Sequence, residues 1–542
     1  MGAGEEFLER LRDDLIHRRI ASGLQYLDRN RAALESLEPG DKGAGVLLGL
    51  LAQWVDIGFA DAEFLGCVLA RFPRDSRGHL SLLDFLHLKM AEGLMALMGE
   101  DPDEAIRSFE VAASLGAEAG DEELLAISNF WIGRCLRQEG RYDDALTYTV
   151  EAREVAVGSG YEEVAAVLRV LESWLVFQKG KLRDAERILR EAEAVLERTD
   201  DYITRGNIQS AYGRIARREG RYDRALERFE RAIAQYKQRD PRHRSLARSL
   251  VNMASVKRLV AVQLQRKLDR DAAKRRERSH TGSTAHERER LDRLRSEAFA
   301  NLDEASAIYA GHPTHHGAGA VHINRGFLCL DSGELDRAGR EADEAFHLGQ
   351  EKHDYILMAR ARILACIVEN TKYEEQIEEL ADPTVHAQLA GEYAREAVEF
   401  AKRTQNPRLL SRSFIWQGLT FTNEFFDDHD AARQCCDAAT ALLKLGGHDY
   451  VWDDLQQLRS RVLKKGPIDT VLQEWSQGLV GAKTFQQITE EFAGIIIPKV
   501  WEREGRKVSR VAAKLSVSPK KVRRVLQAAG LLHKGGADEV AD

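Results

Sequence analysis

The sequence predicts an all-α protein in which a long stack of helix pairs precedes a small basic helical segment. Three observations lead to this fold class. The 542 residues include only 10 prolines and 7% aromatic residues, a composition that favours helix over strand. A 40-residue period runs through the middle of the chain, and such a period is typical of stacked supersecondary units. The C-terminal end is basic, although the whole chain has a formal charge of −8.

The period is visible in four segments that begin at Gly93, Gly133, Ser173 and Gly213, each 40 residues after the one before. A small residue at this position lets the first helix of a unit approach its partner closely. We therefore expect each segment to contribute one pair of antiparallel helices to the stack.

The segment that begins at Gly213 carries the pattern most clearly. Gly220 is expected to end the first helix in a left-handed conformation, which costs least without a β-carbon. Ala225 and Ala232 lie seven residues apart and keep one face of the second helix thin enough for close packing, while Phe229 fills the space between the helices. The same spacing recurs at Gly133, Gly140, Ala145 and Ala152, and at Gly326, Gly333, Ala338 and Ala345.

This pattern resembles the tetratricopeptide repeat, whose usual period is about 34 residues. The resemblance implies a right-handed superhelical solenoid that binds a protein or a peptide in its concave groove. It also implies that four residues near the small first-helix positions face that groove: Arg134, Ser210, Arg214 and Arg217. The arginines could bind carboxylates of a partner, or they could pair with acidic residues of the next repeat.

We expect the solenoid to occupy residues 81–463, with residues 1–80 as an N-terminal helical cap. Degenerate copies of the repeat are expected in residues 355–403 and 418–443. One unit is interrupted, because Ala254 and Ala298 are 44 residues apart where the intact repeats have 12. The additional 32 residues predict a protruding helical hairpin at about 262–294.

The tip of this hairpin is basic. Arg275, Arg276 and Arg278 lie close to the polar segment "SHTGSTAHE". They could contact phosphates or an acidic partner. Alternatively, they belong to a solvated coil of mixed charge, which is the usual role of such runs.

Charge is divided sharply along the chain. Between Lys499 and Lys534 there are eleven basic and two acidic residues, which leaves a formal charge of +9. Since the last eight residues contribute −3, residues 1–498 carry −14. This asymmetry indicates a polyanion-binding appendage on a body with another role. We expect a linker over 464–484, the basic domain over 485–534 and an acidic tail over 535–542.

The basic domain has the spacing of a helix-turn-helix. Ala512 allows two helices to cross closely, Ser516 lies in the turn, and Val522 is apolar six residues later. Ser518 is expected to cap the second helix, with Pro519 in its first position. The segment "VAAKLSVSPKKVRRVLQAAGLL" resembles the Fis-type helix-turn-helix, although Ser516 replaces the family's turn glycine. If the turn is left-handed, this replacement costs about 1 kcal/mol.

The Fis-type resemblance implies that the second helix enters the major groove of double-stranded DNA. Lys520, Lys521 and Arg524 would then lie nearest the bases, where a cationic side chain can bind guanine. Arg510, Ser518 and Arg523 would lie nearer the phosphates. The resemblance also implies a possible homodimer, formed through residues near 485–501.

These features together predict a cytoplasmic DNA-binding transcriptional regulator or adaptor that binds a protein or peptide in its superhelix. One alternative is a protein-interaction scaffold that never contacts DNA, and another is a sensor of a peptide or small molecule. We expect neither catalysis nor a cofactor or metal ion. The segment "GLVGAKT" lacks the spacing of a phosphate loop, and the histidines and cysteines lack regular metal-ligand spacing.

Overall fold

The computed structural model describes residues 3–99, 101–278, 285–312, 317–379, 382–443, 449–465 and 483–532. The chain divides into two compact units, which we call the repeat unit, Met1–Val462, and the C-terminal unit, Leu463–Asp542. The described residues form helices and no strand, so the predicted all-α class is confirmed.

The repeat unit begins with five helices and a short 3-10 helix at Arg74–His79. Leu48, Trp54 and Leu65 are fully buried among them. The α-helices are α1 (Ala3–Ile16), α2 (Ile20–Arg29), α3 (Arg31–Glu35), α4 (Ala44–Ile57) and α5 (Ala62–Leu69).

Among the described residues eight helix pairs follow. Each helix packs against its partner, and each of the first seven pairs also packs against the next pair. The pairs are α6 (Leu82–Met98) with α7 (Pro102–Ala119), α8 (Glu122–Gln138) with α9 (Tyr142–Gly158), α10 (Glu162–Gln178) with α11 (Leu182–Leu196), α12 (Tyr202–Arg218) with α13 (Tyr222–Arg239), α14 (Arg244–Arg278) with α15 (Ala285–Ala310), α16 (Gly317–Asp331) with α17 (Leu335–Glu351), α18 (Tyr355–Glu378) with α19 (Thr384–Lys402), and α20 (Pro407–Phe421) with α21 (His429–Leu443). The helix α22 (Tyr450–Lys465) comes after the last pair.

The small first-helix positions are places of close approach, as the sequence predicted. A β-carbon at Gly213 would lie 2.8 Å from the Phe229 ring, which is fully buried between α12 and α13. The hydroxyl of Ser173 occupies the equivalent place in its pair and donates to the Ala185 carbonyl at 2.8 Å. Gly220 has a left-handed backbone with φ of +73°, which ends α12 as predicted.

The interrupted unit contains the two longest helices of the described chain, α14 with 35 residues and α15 with 26. In the inserted part the two helices are held together by buried Leu268 and Leu291, and by an ion pair of 2.6 Å between Lys267 and Glu287. The predicted tip side chains of Arg275, Arg276 and Arg278 lie outside the described residues.

Two loops far apart in the sequence meet within the repeat unit. The backbone amide of Gln405 donates to the Gly140 carbonyl at 2.8 Å. The side-chain oxygen of Gln405 accepts from the backbone amide of Asp143 at 2.7 Å. The stack therefore curls until the loop between α8 and α9 contacts the loop between α19 and α20.

Residues 483–532 of the C-terminal unit form three helices, α23 (Phe485–Arg503), α24 (Val508–Leu515) and α25 (Pro519–Ala528). They share a small core in which Val511, Val522 and Leu526 are fully buried. As predicted, the hydroxyl of Ser518 accepts from the Lys521 amide at 3.2 Å and caps α25, and Pro519 is the first helical residue. Ser516 has φ of 51° and ψ of 40°, so the turn is left-handed.

A membrane-spanning helix requires a long, almost uncharged apolar stretch. None of the helices in the described part of the chain has one.

Candidate ligand cavity and cationic helix

A cavity of about 830 Å³ lies within the repeat unit. It is lined by side chains from the N-terminal helices and from successive helix pairs. Thirteen arginines and five carboxylates line it among the described residues. The arginines are Arg18, Arg134, Arg137, Arg214, Arg217, Arg218, Arg239, Arg244, Arg248, Arg258, Arg360, Arg408 and Arg412.

Three of the four predicted groove residues line this cavity, namely Arg134, Arg214 and Arg217. Ser210 is placed differently. Its side chain is almost fully buried, and its hydroxyl accepts from Ser249 at 3.2 Å, so it belongs to the packing between α12 and α14. The expectation that Ser210 faces the groove is therefore corrected: the residue lies on the side of α12 that packs against the next pair.

The three arginines have different surroundings. Arg134 pairs with Asp56 at 3.2 Å and lies over the Trp131 ring at 4.3 Å. Arg217 donates to the side-chain oxygens of Asn252 and Ser255 in two long hydrogen bonds of 3.4 Å. Both alternatives for these residues thus occur within one cluster: Arg134 is paired with an acid, whereas Arg217 is not paired with a carboxylate among the described residues.

Burial leaves several of these arginines in an unfavourable electrostatic environment. Burial, with the nearby Arg134, lowers the pKa of Arg137 to about 9. Burial, with Arg248, lowers the pKa of Arg214 to about 9. A guanidinium whose pKa falls in this way lacks enough nearby negative charge to stabilise it. Among the described residues that line it, the cavity therefore has an excess of positive charge.

A second part of the cavity, near α20 and α22, shows the same excess of positive charge. Burial, with Arg408, lowers the pKa of Arg218 to about 9. Although burial raises it, Arg412 and Arg408 together hold the pKa of the Tyr450 hydroxyl below its ordinary value. The positive region therefore extends from α8 to the last helices of the unit.

Sequence reasoning missed most of the arginines in the cavity. The sequence did contain a signal for Arg137. It lies 80 residues, or two periods, before Arg217, just as Arg134 lies 80 residues before Arg214. Arg360 lies in a degenerate copy whose register the sequence did not define, and Arg412 lies just before the copy expected at 418–443. Their place in the cavity follows from the curvature of the stack.

In the C-terminal unit, the predicted DNA-binding side chains lie mainly on the surface. Arg510, Lys520, Arg523 and Arg524 are exposed, and Lys521 is half-buried. Arg524 forms an ion pair with Glu490 at 3.5 Å, in which both side chains are more than half exposed. Such a surface pair is worth less than about 1 kcal/mol. Helix α25 therefore presents a cationic surface.

Ser518 has a structural role that the sequence also predicted, because its hydroxyl caps α25. Among the described residues, Lys520 and Lys521 form no ion pair with a carboxylate. The cationic side chains therefore lie on a helix that begins at Pro519 and is capped by Ser518.

Comparison with known proteins agrees with the repeat pattern. The Tetratricopeptide repeat family matches residues 123–198 and 204–260, which cover α8 to α13 and part of α14. A comparison with curated protein sequences gave no significant match.

Several solved structures resemble the chain. A Rap protein complexed with Competence and Sporulation Factor has 12% sequence identity and a TM-score of 0.51, over 75% of this chain and 98% of that chain. A human IFIT1 dimer with m7Gppp-AAAA has 13% identity and a TM-score of 0.46, over 85% and 94%. The apo quorum sensor NprR from B. thuringiensis has 12% identity and a TM-score of 0.40, over 80% and 98%.

At these identities a structural match bears on the fold alone. The Rap structure, with a TM-score of 0.51, agrees with the helical solenoid fold of the repeat unit. The chain therefore carries tetratricopeptide repeats, and its repeat unit is a TPR-like helical solenoid.

Proposed function

We propose that this protein is a cytoplasmic DNA-binding transcriptional regulator or adaptor, in which the repeat unit binds a peptide and the C-terminal unit binds DNA. The observation that carries the proposal is the arginine-lined cavity in the repeat unit. Tetratricopeptide repeats form a protein-interaction fold, and the Rap protein of similar fold is complexed with Competence and Sporulation Factor. A cavity of about 830 Å³ suits a short peptide better than a folded protein.

Support for DNA binding comes from α25. The helix is short, capped and cationic, and it follows a tight turn after α24, as the second helix of a helix-turn-helix does. Lys520, Lys521 and Arg524 would contact bases, and Arg510 and Arg523 would contact phosphates. Ligand binding in the repeat unit would then control or direct the DNA-binding unit.

Dimer formation would strengthen this binding, because two half-sites would be read together. Phe485 and Phe492 lie seven residues apart on α23, and their side chains are 85% and 48% exposed. Two large apolar side chains at this spacing share a helix face. We propose that the dimer, if it forms, uses this face of α23.

The DNA half of the proposal is tested by fluorescence polarisation with duplex DNA and the full chain. Reversing the four charges of α25, as Lys520→Glu, Lys521→Glu, Arg523→Glu and Arg524→Glu, is expected to weaken binding at least tenfold. It should also flatten the salt dependence, because each lost phosphate contact removes about 0.9 from the slope of log K against log salt. Light scattering on the same samples reports whether the chain is a dimer.

The matched control reverses four exposed arginines of the repeat unit and so changes the net charge equally: Arg107, Arg187, Arg224 and Arg231, each to Glu. This control is expected to bind DNA nearly as the unaltered chain does. Equal binding by the α25 variant and the unaltered chain would contradict the DNA-binding role and leave the scaffold as the function.

A further inference from the structure

The carboxylates of the cavity are already used by the chain itself. Asp56 lies between Arg134 and Arg244, at 3.2 and 3.1 Å. Asp201 pairs with Arg18 at 2.6 Å. The other three are engaged as well: Glu123 with Arg12, Asp200 with the backbone amides of Ile20 and Ala21, and Asp354 as the cap of α18.

Within the described part of the chain, a group of cavity arginines has no carboxylate close enough for an ion pair. Among the described residues, no ion pair is formed by Arg137, Arg214, Arg248, Arg360 or Arg412. The Nε atoms of Arg214, Arg248 and Arg412 are buried and lack a hydrogen-bond partner there. Buried charges without a partner are costly to a protein. Such a cluster is explained if a ligand supplies the missing negative charge.

Aromatic rings hold several of these guanidinium groups in place. Arg137 lies over Trp174 at 5.2 Å, Arg218 over Phe177 at 3.9 Å and Arg412 over Tyr450 at 5.2 Å. Stacking fixes the arginines before a ligand arrives, which reduces the entropy lost on binding. It also occupies ring faces on which the base of a nucleotide would stack. The arrangement thus favours anionic groups over nucleobases.

The cavity also has an apolar region. Helices α6, α8 and α10 contribute Leu94, Ile127, Val164, Val167 and Leu171 to its lining, whereas the arginines without a carboxylate come mainly from α12, α14, α18 and α20. A ligand that satisfies both regions has an apolar part and an anionic part. Inorganic phosphate and polyphosphate lack the apolar part.

We infer that the ligand of this cavity is a short acidic peptide with an apolar half and a half that carries several carboxylates. The carboxylates accept hydrogen bonds from Arg214, Arg248 and Arg412, and the apolar side chains pack beside Leu94 and Val167. Arginine suits this role because its planar group binds carboxylates through two parallel hydrogen bonds. The inference rests on the proposed peptide-binding function and adds the class of peptide to it.

The test compares two hexapeptide pools by thermal shift and titration calorimetry on the full chain. In the first pool three aliphatic residues are joined, in either order, to three residues drawn from Glu and Asp. The second pool has Gln and Asn in place of the acids. The acidic pool is expected to raise the unfolding temperature and to bind at least about tenfold more tightly, as the loss of one charge-assisted hydrogen bond alone predicts.

Two variants sharpen the test. Arg137→Gln, Arg214→Gln and Arg412→Gln together are expected to abolish the difference between the pools. The control neutralises three exposed arginines outside the cavity, Arg107→Gln, Arg187→Gln and Arg231→Gln, and should keep that difference. If the variant with all three cavity arginines replaced does not fold, the difference in affinity between the two pools on the unaltered chain is the test of the acidic ligand.

The outcomes separate this inference from the proposed function. Equal binding of both pools overturns the acidic ligand but leaves peptide binding standing. Binding of ATP or inorganic triphosphate, with no response to either pool, overturns both the peptide ligand and the peptide-binding half of the proposed function. No response to any of these probes also overturns both.

Discussion

His87 lies on α6 and is buried where α4 and α6 pack together. A β-carbon at Gly49 of α4 would come within 2.8 Å of its side chain. Its Nδ1 atom has no hydrogen-bond partner among the described residues. Burial lowers the pKa of His87 from its ordinary value of 6.5 to about 4. The folded chain therefore holds this imidazole neutral at a pH where the unfolded chain protonates it.

This difference makes His87 a source of acid sensitivity. The unfolded state binds a proton below pH 6.5 and the folded state only near pH 4, so stability is lost as the pH falls between these values. Between pH 7 and pH 5 the loss is about 2 kcal/mol. The free energy of unfolding, measured in urea, is expected to fall between pH 7 and pH 5. In His87→Gln this fall should be smaller by about 2 kcal/mol. His79→Gln, at an exposed position, should leave it unchanged.

At the level of single residues, the sequence identified side chains whose role follows the repeat register. Arg134, Arg214 and Arg217 were predicted from their distance to a small residue, and they line the cavity. The prediction for Ser210 was wrong because the face of α12 that lines the groove lies next to the face that packs against the next pair. A small rotation about the helix axis moves a side chain from one face to the other. Arg360 was missed because its helix lacks the glycine that would have set the register. Arg412 was missed because it precedes Gly418, where the expected copy begins. A 12% identical fold relative could not supply these residues either.

At the level of elements, the small position in the first helix of each pair sets how closely two helices pack. At Gly213 the available space is already filled by the Phe229 ring. At Gly158, the last residue of α9, a β-carbon would meet nothing within 4 Å. The two glycines therefore form a matched pair for substitution.

Gly213→Ala is expected to lower the free energy of unfolding by about 1 to 2 kcal/mol, since the strain of overpacking exceeds the gain in helix propensity. Gly158→Ala is expected to raise it by about 0.5 kcal/mol, because only the propensity changes. Both values are measurable by chemical denaturation. Loss of stability in both variants, or in neither, would show that close approach at Gly213 does not limit the packing.

The helix pairs were the most predictable elements, because their small residues recur at a fixed distance. The long helix α14 was predicted from a departure from that distance between Ala254 and Ala298. The pair α18 and α19 was only partly predictable, since the loop between them falls within a segment that breaks the pattern. The N-terminal helices were expected only as a cap, because their sequence lacks the recurring small residues of the repeat; they pack into one core around Trp54.

At the level of the whole repeat unit, the contact between the loops at Gly140 and Gln405 depends on every pair between them. Asp143 is near the start of α9, where its backbone amide has no partner within the helix. The Gln405 side chain accepts from that amide across 262 sequence positions. No local pattern predicts such a contact, because it depends on the accumulated turn of the stack.

Gln405→Ala removes this side-chain acceptor. Hydrogen exchange at the Asp143 amide is expected to become about fivefold faster, as the loss of a hydrogen bond worth about 1 kcal/mol predicts. Hydrogen exchange with mass spectrometry over residues 140–146 measures the change. Gln434→Ala, at an exposed position on α21, is the control. Unchanged exchange at Asp143 in the Gln405 variant would mean that the two loops are apart in solution.

An open solenoid behaves mechanically as a spring, because each repeat contacts only its neighbours and small bends add up to a large extension. Because the loops at Gly140 and Gln405 are hydrogen-bonded to each other, the helix pairs between them form a closed ring. A tensile load on this part of the chain would have to break the hydrogen bonds of Gln405 to Gly140 and Asp143 before the helix pairs between them could move apart. The elastic extension that such repeats usually allow would therefore begin only after the two loops have separated.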